Sequence, residues 1–370
     1  MKILILNWRD IRHPAAGGAE VVTYEIAKRW VQWGHEVIWF AAGFPGGLAD
    51  EKLEGIQIIR RGKQFSVHYE AFRYYQQHWR GYFDVVIDEI NTIPFFTTLY
   101  VKEKKVAYFC QLAREVWFYE APFPLNLLGY LLEPVYLRLY RRTPIITISE
   151  STQEDLTGLG ADKVYIIHPG VDVTPLPEVP QPGEKAQKPT VLCVGRVVPS
   201  KRVADIITAI HLVSKQVPEV QLWIAGSSSP AYIARLKRQI RRYQLDKQVR
   251  FLGKISFEER QTFMKQAHLL AMASVREGWG LVVIEANAMG TPAVVYQVPG
   301  LMDSVQAGKT GLVCQQNTPQ NLADQITRGL LDHSLREKLA KGALEWSRQF
   351  TWKANAESFL KVLEAVYEEG

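Results

Sequence analysis

Two glutamates, Glu277 and Glu285, stand eight positions apart around Gly278-Trp279-Gly280. The run before them, residues 268–273 (HLLAMA), is short, apolar and strand-like. Good helix formers fill residues 281–289, and Gly290 and Pro292 close the run. A strand, a glycine-rich turn and a helix start aim several N–H groups at one place, a natural seat for phosphate. A carboxylate accepts two hydrogen bonds from a vicinal diol, so a pair of them beside a phosphate suits a sugar nucleotide.

Matching cationic groups lie upstream. Gly195 ends the strand 190–194, Arg196 follows at once, and Ser200 can cap the next helix with Lys201 in its first turn. Arginine's planar fork and lysine's point charge can together neutralise a diphosphate as charge grows on bond cleavage. Gly226 and Gly253 close the next two strands, the latter followed by Lys254 and Ile255.

In the first half, Gly17-Gly18 precedes a helix and lets a phosphate or sugar approach the backbone closely. The loop from Asn7 to Glu20 is too long, and its glycines wrongly spaced, for a G-x-G-x-x-G dinucleotide fingerprint. A later loop holds Cys110, Gln111, Arg114, Trp117 and Tyr119, polar and aromatic groups that could meet a second substrate.

The elements that carry these groups alternate. Seven short apolar strands fall before residue 172 and six after residue 190, separated by helical stretches. That alternation predicts α/β architecture with mostly parallel sheets covered on both faces. Residues 173–189, rich in proline and without apolar periodicity, read as a linker. The fold class is therefore two Rossmann-like, doubly wound domains facing a cleft, with ligand at the carboxyl ends of the strands. The last fifty residues are helical.

The Glu277/Glu285 stretch resembles the E-x7-E motif of family 4 retaining glycosyltransferases, and the likeness extends to Gly17-Gly18-Ala19-Glu20 and to Gly195-Arg196 with Lys201. The resemblance implies the two-Rossmann GT-B architecture, with residues 1–172 as acceptor domain and 190–350 as nucleotide-sugar domain. Residues 351–370 would return to the first domain. It assigns Arg196 and Lys201 to the donor diphosphate, Glu277 to hydroxyls of the donor sugar and Glu285 to the ribose diol. Gly278, Trp279, Gly280, Leu281 and Val282 would meet sugar and phosphate oxygens, and the Lys254-Ile255 loop the nucleobase. Gly17, Gly18, Gly195 and Gly226 would complete the donor side. Relatives often hold a histidine where this chain has Cys110, and a thiol does not replace imidazole as a hydrogen-bond partner. Gln111 is the candidate substitute, with Arg114, Trp117 and Tyr119 as acceptor-side candidates.

The implied reaction moves a hexose, with retention, onto a hydroxyl of a lipid-linked or polysaccharide acceptor. UDP-glucose is the expected donor and UDP the product; GDP-mannose, releasing GDP, is the runner-up. A sugar-nucleotide epimerase on the same architecture and a non-catalytic sugar-nucleotide-binding protein are the other readings.

The totals narrow the classes. Apolar residues make up 47% of the chain and charged residues 22%, as in a soluble globular protein. The opening MKILILNWRD reads as a first strand, not a signal peptide. Three scattered cysteines indicate no disulfide framework and fit a reducing cytoplasm. Neither clustered histidines nor an Asp-x-Asp occur, so no metal and no cofactor are expected. Residues 1–172 carry 19 basic against 20 acidic groups, and the remainder 25 against 18. The basic second half suits a diphosphate, and no nucleic-acid module accompanies it. Residues 125–139 are apolar with Arg138, Arg141 and Arg142 behind them, which allows peripheral contact at the inner face of a membrane. Pro134 interrupts this segment and favours a packed interdomain helix instead.

Overall fold

The computed structural model describes residues 1–369. The chain forms two compact units: residues 1–117, 121–170 and those from Thr351 on make the first, and residues 118–120 and 171–350 the second.

The first unit holds the strands β1 (Lys2–Leu6), β2 (Glu36–Ala41), β3 (Asp50–Leu53), β4 (Ile56–Arg60), β5 (Val85–Glu89), β6 (Lys104–Phe109), β7 (Ile145–Thr147) and β8 (Val164–Ile166). They line up as β3-β4-β2-β1-β5-β6-β7-β8, all parallel except β3. Its main helices are α1 (Gly18–Gln32), α2 (Val67–Tyr74), the one-turn α3 (Trp117–Glu120, shared with the second unit), α4 (Leu125–Leu137) and α5 (Glu150–Gly158). The strand β3 (DEKL) is absent from the seven expected. It sits at the edge, pairs only β4, and shows no buried residue, so no apolar alternation announces it.

The second unit holds β9 (Thr190–Val194), β10 (Gln221–Ala225), β11 (Val249–Gly253), β12 (Leu269–Met272), β13 (Ala293–Val295) and β14 (Gly311–Val313), ordered β11-β10-β9-β12-β13-β14 and parallel throughout. Around them lie α6 (Val203–Val213), α7 (Pro230–Arg242), α8 (Phe257–Gln266), α9 (Leu281–Ala288), the one-turn α10 (Leu301–Ser304), α11 (Pro319–Leu331) and α12 (His333–Ser347). Every residue of β5, β9 and β12 is buried, the acids Asp88 and Glu89 of β5 included, as strands covered on both faces require. In each unit the strand order reverses once, between β1 and β5 and between β9 and β12. Such a reversal parts the loops at the strands' carboxyl ends and opens a crevice there.

The last helix, α13 (Trp352–Glu368), belongs to the first unit. Its Phe359 ring packs edge-on against Trp30 and Tyr108, and Trp30 Nε1 donates to the Ala356 carbonyl. The segment expected as a linker is held by the second unit: Val173 lies in its core and Leu176 N–H donates to the Ala288 carbonyl.

Helix α4 departs from the packed helix favoured by the sequence. Pro134 lies inside it without ending it. Its inner side is anchored by Glu133, whose two carboxylate oxygens accept from the Ala113 and Arg114 amides at 2.7 Å. Its outer side is exposed along its length.

Candidate functional site

In the second unit the carboxyl ends of three neighbouring strands are glycines. Gly195, Gly226 and Gly253 follow or end β9, β10 and β11 with φ of +136°, +144° and +70°. A Cβ on Gly226 would lie 1.7 Å from the Gly195 carbonyl oxygen, so side chains are excluded where the strand ends cross. Arg196 emerges from this edge with its side chain 60% exposed. Lys254 is exposed and Ile255 half-buried in the turn that leads from β11 to α8.

The next loop turns through Pro199–Lys201 and brings Lys201 across the switch point. Its Nζ donates to Glu277 Oε1 at 2.5 Å, and Ser274 Oγ donates to the same oxygen at 2.6 Å. Backbone contacts lock the two loops: Val275 N–H donates to the Ser200 carbonyl and Glu277 N–H to that of Pro299. Gly300 lies against Glu277, where a Cβ would sit 2.2 Å from the Glu277 carbonyl oxygen. After Gly278, Gly280 takes a left-handed φ of +81° and starts α9. No side chain caps that helix, which leaves its first amides, at Leu281 and Val282, open beside the Lys201–Glu277 pair. The Trp279 side chain is only 2% exposed and packs edge-on against Phe350, so its role is to seat the turn.

Glu285, one turn further along α9, is 7% exposed. Arg260 of α8 reaches its Oε1 at 3.1 Å, while its Oε2 is buried with no partner. Burial pushes this carboxyl up to about 7, opposed by the Arg260 guanidinium and reinforced by the Asp172 charge. A buried acceptor oxygen held open is costly unless something donates to it. Arg260 and Ser274 escaped the sequence reading, since nothing in their local spacing marks them as partners of Glu285 and Glu277.

In the first unit Gly17 is the N-cap of α1 and Gly18 its first residue. Glu20 fixes this turn: its Oε2 accepts from the Gly17 amide at 2.6 Å and its Oε1 from Arg9 Nε at 2.9 Å. Fully buried Glu89, at the end of β5, accepts from Thr23 Oγ1 at 2.7 Å. Burial first, and then the Glu20 charge, push its carboxyl up to about 8. Cys110 follows β6, and burial drives its thiol far up, which keeps it un-ionised. Gln111 is half-buried beside it. Arg114 sits at φ +39° with its guanidinium 4.6 Å from the Tyr130 ring centre. The half-buried Trp117 ring lies against Gly129 of α4, where a Cβ would be 2.6 Å away. Tyr119 is exposed. Thus the structure joins Lys201 with Glu277, and Gly195 with Gly226, while the first-unit candidates are distributed over the ends of β1, β6 and the α4 support.

Known proteins resemble this chain across both units. A D-inositol 3-phosphate glycosyltransferase of Jonesia denitrificans is 31% identical over 218 residues, covering 55% of this chain and 51% of the relative. The chain thus spans about half the length of that curated relative in the match. A sucrose-phosphate synthase from Thermosynechococcus elongatus superposes with a TM-score of 0.82 at 21% identity, over 100% of both chains. The Anabaena protein HepE, solved with UDP-glucose, gives 0.74 at 20% identity over 99% of this chain and 100% of that one. The family description "Glycosyltransferase Family 4" matches residues 16–174, and "Glycosyl transferases group 1" matches residues 177–346. With these two models meeting end to end across the two doubly wound units, the chain belongs to the family 4 glycosyltransferases of GT-B fold.

Proposed function

We propose that the protein transfers glucose from UDP-glucose, with retention of configuration, to a hydroxyl of a lipid-linked or polysaccharide acceptor. The observation that carries this reading is the Lys201–Glu277 pair, set across the β9/β12 switch point beside the uncapped start of α9. Arg196, Lys201 and the α9 amides take the growing charge of the departing diphosphate, so no metal is required. Glu277 orients sugar hydroxyls, and the open Oε2 of Glu285 receives a ribose hydroxyl. The bond between the anomeric carbon and the β-phosphate oxygen breaks as the acceptor oxygen bonds on the same face. The acceptor proton passes to the leaving phosphate oxygen, so the protein supplies position and charge, with no covalent residue. UDP-glucose is favoured over GDP-mannose because a solved neighbour is described with that donor bound. The enzyme would act at the cytoplasmic side of a membrane.

The test incubates the protein with UDP-glucose or GDP-mannose, with EDTA present, with and without a polyprenyl-linked acceptor. Glucose transfer that needs acceptor and survives EDTA is expected. An epimerised nucleotide sugar formed without acceptor would overturn the proposal, as would UDP binding with no turnover.

A further inference from the structure

In the first unit, Leu125, Leu128, Leu132, Val135 and Leu139 recur at spacings of three and four along α4 and the turn after it, and all are exposed. Leu127 and Leu131 widen the stripe, and Phe123, 78% exposed, extends it at the start. A run of exposed large apolar side chains of this length is costly in water and marks a surface that is covered in use.

A second exposed set adjoins it. Phe65, Tyr69 and Phe72 project from α2 and the residue before its cap at spacings of four and three. The loop 92–100 connects the two helices. His68 Nε2 meets the Ile93 carbonyl at 3.2 Å and Phe72 packs edge-on against Tyr100. Tyr136 of α4 donates to the Thr92 carbonyl at 2.6 Å. Ile93 and Leu99 of that loop are exposed as well.

Charge selects the occupant. Between residues 121 and 149 the only acid is Glu133, which is buried and accepts the Ala113 and Arg114 amides. Arg138, Arg141 and Arg142 are exposed at the end of the stripe, and none is in an ion pair among the described residues. A second copy meeting this face with its own would offer those arginines no carboxylate. No described helix is long and apolar enough to cross a membrane, so the stripe would lie on a surface and not span it.

From this juxtaposition we infer that α4, with the aromatic face of α2 beside it, docks the first unit on an anionic lipid bilayer, leucines in the acyl boundary and arginines at the phosphates. An apolar stripe and a basic end act together in this geometry, the first supplying depth and the second attraction to anionic headgroups. The inference deepens the proposed acceptor class and rests on that reading only there, since the docking face and the donor residues belong to different units.

Flotation of the full chain with vesicles of phosphatidylcholine containing about a third phosphatidylglycerol tests it. The wild type is expected to float with these vesicles, and about tenfold less with pure phosphatidylcholine or in high salt. Leu128→Gln with Leu132→Gln is expected to reduce flotation about tenfold while keeping the wild-type thermal shift with UDP, which reports an intact fold and donor side. Arg138→Gln with Arg141→Gln and Arg142→Gln should remove the preference for anionic vesicles. A wild type that stays unbound, or a double-Gln variant that floats as well as wild type, overturns the inference. So does a wild-type dimer that the same leucine changes dissolve without effect on flotation. A protein that floats but neither shifts with UDP nor transfers sugar keeps the docking face and sinks the transferase reading instead.

Discussion

Lys201 Nζ donates to Glu277 Oε1 at 2.5 Å, tying the loop after β9 to the loop after β12. The pair lies where the strand order of the second unit reverses, so one cation and one acid from distant sequence share a single crevice. Glu277→Ala is expected to lower sugar transfer by about two to three orders of magnitude, the scale of a lost transition-state contact. UDP should still raise the thermal midpoint of that variant. Lys201→Ala should lose both transfer and most of the UDP shift, and a retained full shift would remove Lys201 from the diphosphate.

Glu285 titrates in the range where nucleotide binding is measured. Burial places its carboxyl at about 7, and only the ionised form offers Oε2 to a ribose hydroxyl purely as an acceptor while Arg260 holds Oε1. Calorimetry of UDP binding should therefore show affinity falling by about tenfold per pH unit once the pH is well below 7. Glu285→Gln should bind weakly and with little pH dependence. A wild-type affinity that is flat from weakly acidic to weakly basic pH would break the link between Glu285 and the ribose.

Glu89 offers a test confined to the first unit. Its folded carboxyl, at about 8, lies above the ordinary value of 4.5. The protonated form is therefore bound more tightly in the native state. Its contribution is complete below the unfolded value and is lost as pH rises towards 8, at about 1.4 kcal/mol per pH unit in that window. Above 8 the loss levels off. Glu89→Gln removes the titration, so the wild type should lose stability relative to this variant between pH 5 and 8 in parallel denaturation series.

Gly300→Ala probes how closely the Glu277 loop is seated. The new Cβ would fall 2.2 Å from the Glu277 carbonyl oxygen, at a left-handed φ of +80°. Stability should drop by about 1–3 kcal/mol, the scale of local backbone strain. Transfer should fall more steeply than UDP binding, because the displaced group is Glu277.

Phe359→Ala tests the return of the last helix. Its ring lies 5.3 Å from the Trp30 centroid and 5.2 Å from that of Tyr108. Truncation should cost about 3–5 kcal/mol, as for a buried phenylalanine. Urea unfolding should assign the loss to the first unit, and an unchanged midpoint would show that α13 contributes no packing there.

Much of the molecule was legible in order of residues. Thirteen of the strands announce themselves as short, largely apolar runs, because strands covered on both faces need no polar side. Gly195, Gly226 and Gly280 could be placed at turns because left-handed or crowded backbone there admits little else. The exceptions have local causes. In α8 (FEERQTFMKQ) only Met264 is buried, so its periodicity is faint and its Arg260 went unnoticed. Pro134 suggested an interruption, yet α4 runs through it, since a missing N–H is tolerable where the helix already stands against the Glu133 and Trp117 anchors.

By itself the sequence determined the alternation of strands and helices, the two doubly wound sheets, and the kinds of group available for a diphosphate and two sugars. These follow from periodicity and residue chemistry, which are local. Only the tertiary structure decided that Lys201 meets Glu277, that Arg260 meets Glu285 while its Oε2 stays open, and that α4 turns its leucines outward. Those outcomes depend on which loops the strand order brings side by side and on which face of a helix finds a neighbour, and neither is encoded in the spacing of residues along one segment.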